Sequence, residues 1–171
     1  ASAVSADRPI DSIEVMLASL HAAGVEFIVV GGTAAVMLGA PVSTQDLDIV
    51  HRRSPENVTR LLDWLLAHDA YHRFDIANRH IAPTVALLSG NGHINLQTDL
   101  GKLDVLCELA PGEGFDDLLP DTVLFRSDRA EIKVLSLARL VDVKARTGRA
   151  KDRAMLPLLI AALEEDKKRS K

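Results

Sequence analysis

Two aspartates one residue apart, Asp46-Leu47-Asp48, open the apolar run DLDIV. On a strand, side chains alternate with period two, so both carboxylates face one side and Leu47 the other. Like charges held so close raise each other's pKa. A divalent cation between them removes that cost, and Mg²⁺ suits one or two carboxylates completed by phosphate oxygens and water. An outward-facing edge strand would show the same alternation, so the pair does not decide alone. Upstream, Gly31-Gly32-Thr33 directly follows the apolar run Glu26 to Val30 and opens a helix. Glycines let a backbone approach a ligand closely, and helix-start amides attract phosphate. A tight strand-to-helix turn favours glycine too. Neither a GxGxxG fingerprint nor a P-loop is present. Downstream, Asp104 lies in KLDVLC between Leu103 and Val105. It either faces solvent or joins Asp46 and Asp48 from a neighbouring strand. Three carboxylates can hold two metals, which activate a hydroxyl and stabilise a leaving pyrophosphate.

The elements that must position these residues follow from periodicity and breakers. Ile13, Met16, Leu17 and Leu20 form one helical stripe, capped by Asp11 or Ser12 and ended by Gly24. Glu26 to Val30 is predicted as a buried strand, Ala34 to Leu38 as a short helix, and Asp46 to Val50 as the next strand. Ser54-Pro55 starts a helix whose stripe is Val58, Leu61, Leu62 and Leu65. Thr84 to Ser89 and His93 to Thr98 flank Gly90-Asn91-Gly92, which reads as a hairpin. Lys102 to Cys107 is a further strand, and Pro111 to Pro120 a loop. Glu131 to Leu135 is a last strand. Ser136 caps a helix carrying Leu137, Leu140, Val141 and Lys144, and a final helix runs from about Lys151 to Leu163. The order predicts an α/β (α+β) fold: a mixed β-sheet flanked by helices, with a C-terminal helical segment. The expected divisions are a flexible arm at 1–10, a core at 11–135, a packed helical segment at 136–165 and a basic tail at 166–171.

The 171 residues suit one domain. No apolar run approaches the roughly 20 residues of a membrane span, so no membrane role is expected. The single cysteine, Cys107, excludes an internal disulfide. With no secretory pattern at the start, the expected location is the cytoplasm. Half of the 20 Lys and Arg lie from Arg139 onward, a basic segment on an acidic body. It suits a polyanion such as nucleic acid or a triphosphate, or else a solvated helix with a frayed end. Cys107 and Trp64 read as packing residues. The histidines lack metal spacing; His51, after the DLDIV strand, either lies near the site or, the reading preferred, sits on a loop, and His80 and His93 have no assignment.

Taken together, VVGGTAAVMLG, then STQDLDIV, then KLDVLCEL resemble the signature of the nucleotidyltransferase superfamily. The similarity is greatest to small bacterial nucleotidyltransferase-like proteins, including the AbiEii-type toxin group. GNGHINLQTDLGKLDVLCEL and VKARTGRAKDRAMLPLL resemble their later blocks, so the similarity runs from about Gly24 to Leu163. It implies the nucleotidyltransferase fold and transfer of NMP from an NTP to an acceptor hydroxyl, on an RNA end, a protein or a small molecule. Asp46, Asp48 and Asp104 would bind Mg²⁺ or Mn²⁺, with Asp104 as general base. Gly31, Gly32 and Thr33 would hold phosphates. An antitoxin or a second copy is an implied partner, and a non-catalytic nucleotide- or partner-binding domain is the alternative. Val42 stands where many relatives carry an Arg. Lys144, Arg149 and Lys151 are the replacement cations expected at the phosphates. Lys144 would equally suit a lysine covering apolar surface, and Asp152 either orients these cations or charges the start of the last helix.

Overall fold

The computed structural model describes residues 9–147 and 150–171, and the side chains of all these except 9–11, 151 and 152. Helix α1 (Pro9–Ala22) buries Ile13, Met16, Leu17 and Leu20, the expected stripe. It begins two residues before Asp11, so Pro9 and Ile10 are helix and not arm. Strand β1 (Phe27–Val30) is buried at all four positions. Such a strand lies inside a sheet covered on both faces, which is why it reads as a continuous apolar run. Helix α2 (Gly31–Met37) starts where β1 stops, taking in the two glycines. Strand β2 (Leu47–His51) follows, then α3 (Pro55–Ala67), capped by the Ser54 hydroxyl accepting from the Asn57 amide. A two-residue strand, β3 (Tyr71–His72), has no sequence signal of its own.

The expected hairpin around Gly90-Asn91-Gly92 is absent. Residues Val85–Leu88 form a single helical turn, α4, with Thr84 as its cap. Leu88 alone of the four is buried. A four-residue apolar run is too short for periodicity to separate turn from strand. The true hairpin joins β4 (His93–Thr98) to β5 (Gly101–Leu106). Its turn is closed by the Thr98 hydroxyl, which donates to the Gly101 carbonyl at 2.8 Å and accepts from the Leu100 amide at 3.1 Å. The loop expected at 111–120 contains α5 (Phe115–Leu118) and a 3₁₀ turn (Leu119–Asp121). Strands β6 (Thr122–Arg126) and β7 (Glu131–Leu135) pair antiparallel, β6 being unforeseen. Helices α6 (Leu137–Thr147) and α7 (Ala150–Arg169) complete the chain. Helix α7 extends through most of the expected basic tail. Lys167, Lys168 and Arg169 fall in its last turn, where cations complement the helix dipole.

The seven strands form one mixed sheet in the order β3-β4-β5-β2-β1-β7-β6. Strand β1 is antiparallel to β2 and parallel to β7, while β2 is parallel to β5. The α/β class therefore holds. The core runs beneath the central strands, with Ile28, Leu47, Ile49, Leu96 and Leu103 fully or almost fully buried. Asn57 is a buried polar strut within it. Its Nδ2 donates to the Glu26 and Arg52 carbonyls, and its Oδ1 accepts from the Glu26 amide at 2.7 Å. These bonds tie the start of α3 to the entry of β1 and the exit of β2. Among the described residues, no helix is long and apolar enough to cross a membrane.

Candidate functional site

The register of the central strands assembles the acidic residues. Val30 pairs with Asp48 across β1 and β2. Asp48 in turn pairs with Asp104 across β2 and β5, and Asp104 with Asn95 across β5 and β4. Asp46 lies one residue ahead of β2 and, two before Asp48, on the same side of the chain. The Asp46 carbonyl is fixed from two directions. It accepts from the Thr33 hydroxyl at 2.9 Å and the Thr44 hydroxyl at 3.1 Å.

Asp48 is largely buried, and its carboxyl is pushed up to about 7. Burial is the main cause. The others are a shared hydrogen bond and charge repulsion with Asp104, then repulsion from Asp46; Lys144 opposes them. The cluster is thus electrostatically unfavourable as an anion and has room for positive charge. Among the described residues, no three His, Cys, Asp or Glu side chains form a ready-made metal cage. The carboxylates meet as a contacting pair, Asp48 and Asp104, with Asp46 beside them.

Gly31 lies against this pair. Its φ is +65°, and a Cβ at that position would collide with Asp48 Oδ2. A glycine is therefore required both by the turn and by the carboxylate. At Gly32, a Cβ would come within 3.2 Å of the Thr44 side chain. Val30, at the cap of α2, supplies no side-chain hydrogen bond. Val30, Gly31 and Gly32 line one wall of a cleft of about 680 Å³. Asp46, Asp48 and Asp104 line it as well, with Lys102 and His93 from the hairpin strands. That volume lies in the usual range for small-ligand sites. Thr33 is buried at 3% exposure and its hydroxyl is committed to Asp46, so it supports the acidic loop and does not line the cleft.

The opposite boundary comes from α6. Leu140, Val143, Lys144 and Thr147 line the cleft, and Met155 joins them from α7. Lys144 sits one residue beyond the buried Val143, half-buried, with its charge felt at Asp48. Ion pairs hold α6 in place. Arg139 reaches Asp121 at 2.9 Å and Glu113 at 3.3 Å, and Arg146 reaches Glu113 at 2.8 Å. Arg149 and the side chains of Lys151 and Asp152 lie outside the described residues.

One contributor has no sequence signal. Arg73, just beyond β3, is only 13% exposed and extends its guanidinium into the acidic cluster. Nη1 lies 2.7 Å from Asp104 Oδ1, and Nη2 lies 3.6 Å from Asp46 Oδ2. Nη1 also donates to the Leu96 carbonyl at 3.0 Å. Arg73 stands in no motif, and only pairing of the two-residue β3 with β4 brings it there.

His93 lines the cleft, whereas His51 and His80 are engaged elsewhere. His51 is not on a loop: it ends β2, fully buried, with Nε2 2.7 Å from the Leu88 carbonyl. Burial lowers its pKa. His80 stacks on Tyr71 at 4.0 Å. Cys107 is buried, as expected; Trp64, which reads as packed helix surface, is buried too, and its indole donates to Ser19 at 2.9 Å.

By sequence, no family model and no curated protein matches the chain. Solved structures do match it in shape. An antigenic nucleotidyltransferase-like protein from Paracoccidioides brasiliensis superposes with a TM-score of 0.61 at 18% identity, over 94% of this chain and 77% of that one. The lincosamide antibiotic adenylyltransferase LnuA, with lincomycin bound, gives 0.58 at 12% identity, over 88% and 96%. TM1012 from Thermotoga maritima, a proposed nucleotidyltransferase, gives 0.56 at 19% identity, over 86% and 89%. At these identities the likeness is one of architecture: this chain has the nucleotidyltransferase fold.

Proposed function

We propose that the chain transfers a nucleoside monophosphate from an NTP to an acceptor hydroxyl and releases pyrophosphate. The observation that carries this reading is the pairing of Asp48 with Asp104 across parallel strands, against a glycine that only a missing Cβ lets approach. The donor set fits a hard divalent cation. Asp48, its carboxyl raised by burial and by Asp104, with Asp46 alongside, suits Mg²⁺ or Mn²⁺, which takes its remaining ligands from phosphate and water. Asp46 and Asp48 are the residues that would hold it, with Asp104 alongside. When bound, the cation neutralises the carboxylates and polarises the phosphate being attacked.

The remaining roles belong to the protein. Gly31 and Gly32 leave backbone room for the phosphates, and Lys144 offers positive charge to them from α6. Arg149 and Lys151 are candidates for the same role on sequence grounds. Asp104 accepts the proton of the acceptor hydroxyl as its oxygen bonds the α-phosphorus. The bond from that phosphorus to the bridging oxygen of pyrophosphate breaks in the same displacement. Val42 leaves the acidic loop without the Arg of many similar sequences. LnuA's description as an antibiotic adenylyltransferase supports testing small-molecule hydroxyls as acceptors alongside RNA ends and proteins.

The test is transfer of label from α-labelled NTP in Mg²⁺ or Mn²⁺. Asp46→Ala/Asp48→Ala should abolish it, and transfer that survives the double change overturns the assignment. Val42 favours a second reading, a nucleotide-binding domain without turnover. Calorimetric NTP binding with no transfer to any acceptor class selects it. The toxin role rests on the resemblance alone, and growth arrest on expression, relieved by the same double change, is its test.

A further inference from the structure

We propose that Arg73 is a built-in cation that takes the place of a second metal ion, so that the site holds one divalent cation and not two. The inference rests on the nucleotidyl-transfer reading and specifies its metal requirement. Three carboxylates in one cluster would ordinarily invite two divalent ions. Here the guanidinium of Arg73 lies 2.7 Å from Asp104 and 3.6 Å from Asp46. Arginine keeps its charge at any working pH. With one of the three carboxylate charges met by this guanidinium, and Lys144 acting on Asp48 as well, no more than one divalent cation is needed.

The guanidinium is anchored and not a passing surface side chain. The Arg73 amide donates to the Asn95 carbonyl at 3.1 Å, and Nη1 donates to the Leu96 carbonyl at 3.0 Å. The guanidinium carbon lies 4.9 Å from the centroid of the Phe74 ring. Arg73 is less exposed than either carboxylate it faces, at 13% against 36% for Asp46 and 17% for Asp104. A fixed positive charge at 13% exposure repels a second cation that would need Asp104. The absence of a three-carboxylate cage among the described residues agrees with this. Arg73 therefore acts as a positioning residue. It holds Asp104 at 2.7 Å from its guanidinium, while Asp46 and Asp48 remain for the single cation.

Mn²⁺ binding to the full chain, counted by electron paramagnetic resonance and followed by calorimetry, tests this without turnover. Wild type should bind one Mn²⁺. Arg73→Gln should bind two, or gain at least about tenfold in affinity, whereas Arg73→Lys should keep one. Two ions in the wild type, or an unchanged count and affinity in a folded Arg73→Gln, overturn the proposal. Should Arg73→Gln fail to fold, Asp104→Asn decides. If Arg73 holds Asp104, this change alters wild-type Mn²⁺ affinity by less than about threefold, while Asp48→Asn abolishes binding. An equal loss in both variants overturns the proposal and leaves nucleotidyl transfer standing. Absence of any Mn²⁺ binding together with absence of label transfer removes both.

Discussion

Asp48→Asn should make the metal-free protein more stable while destroying its proposed activity. Asn is nearly isosteric with a protonated Asp and keeps a donor for Asp104. The Asp48 carboxyl rises from the ordinary 3.8 to about 7 in the fold. Between those values the folded chain holds a proton that the unfolded chain has released, so stability falls as pH rises through this window and levels off above it. Each tenfold in proton affinity is worth about 1.4 kcal/mol, which makes the cost at pH 8 about 4 kcal/mol at most. At pH 5 only about 1–2 kcal/mol of it has developed. In a chain of this size, 1 kcal/mol moves Tm by about 2–4 °C. Because Asp48 shares a hydrogen bond with Asp104, less than the full cost is recovered, and a gain of at least about 5 °C is expected at pH 8. Melts of both proteins in EDTA at pH 4, 5, 6, 7 and 8 would follow it. The gain should vanish near pH 4 and be complete above pH 7. Saturating Mg²⁺ should raise the Tm of wild type alone. A variant that melts at or below wild type at pH 8, or with the same difference at every pH, refutes the account of Asp48.

Gly31→Ala forces a Cβ onto a φ of +65° and into Asp48. It should cost about 1–3 kcal/mol in a denaturant titration and abolish label transfer. Thr33→Val removes the donor to the Asp46 carbonyl. It should cost about 1 kcal/mol, and label transfer should fall while the fold persists by circular dichroism. Asn57→Ala takes the side-chain partner from the Glu26 amide and the Arg52 carbonyl at the junction of β1, β2 and α3, the Glu26 carbonyl keeping the Arg52 amide, and a loss of about 2–4 kcal/mol in urea is expected. Burial raises the Cys107 thiol. Iodoacetamide at pH 8 should therefore modify the native chain at least about tenfold more slowly than the chain in urea, measured by intact mass.

Much of the acidic site was legible in the sequence because its determinants are local or periodic. The spacing of Asp46 and Asp48 fixes their common side, and Gly31 after β1 marks a turn that needs positive φ. The alternation around Asp104 left solvent and site equally open, and only the register of β2 with β5 decided it. Strands Glu131–Leu135 and Phe27–Val30 were readable from β-branched apolar runs. Arg73 was not legible, since a two-residue strand carries no pattern and its position depends on pairing with β4. The exposed strand Thr122–Arg126 was hidden because most of its side chains lack a buried face to set an alternation. Thr33 was assigned to phosphate from its place after two glycines. Its hydroxyl turns inward because the Asp46 carbonyl needs a donor there. His51 was placed on a loop because the strand run ends in a polar residue, yet the Leu88 carbonyl draws it inside.

Strands β2 and β5 lie side by side and point the same way, although residues 52–100 separate them along the chain. Closing so long an excursion delays contact formation, because chain entropy must be lost before any pairing rewards it. Asp46 and Asp48 can therefore exist on an early folding intermediate without Asp104, as a small acidic patch that suffers little repulsion. The repulsion between Asp48 and Asp104 arises only when β5 docks on β2, and it then opposes docking. A divalent cation present during refolding would act on that step, speeding closure of the sheet without altering the collapse that precedes it.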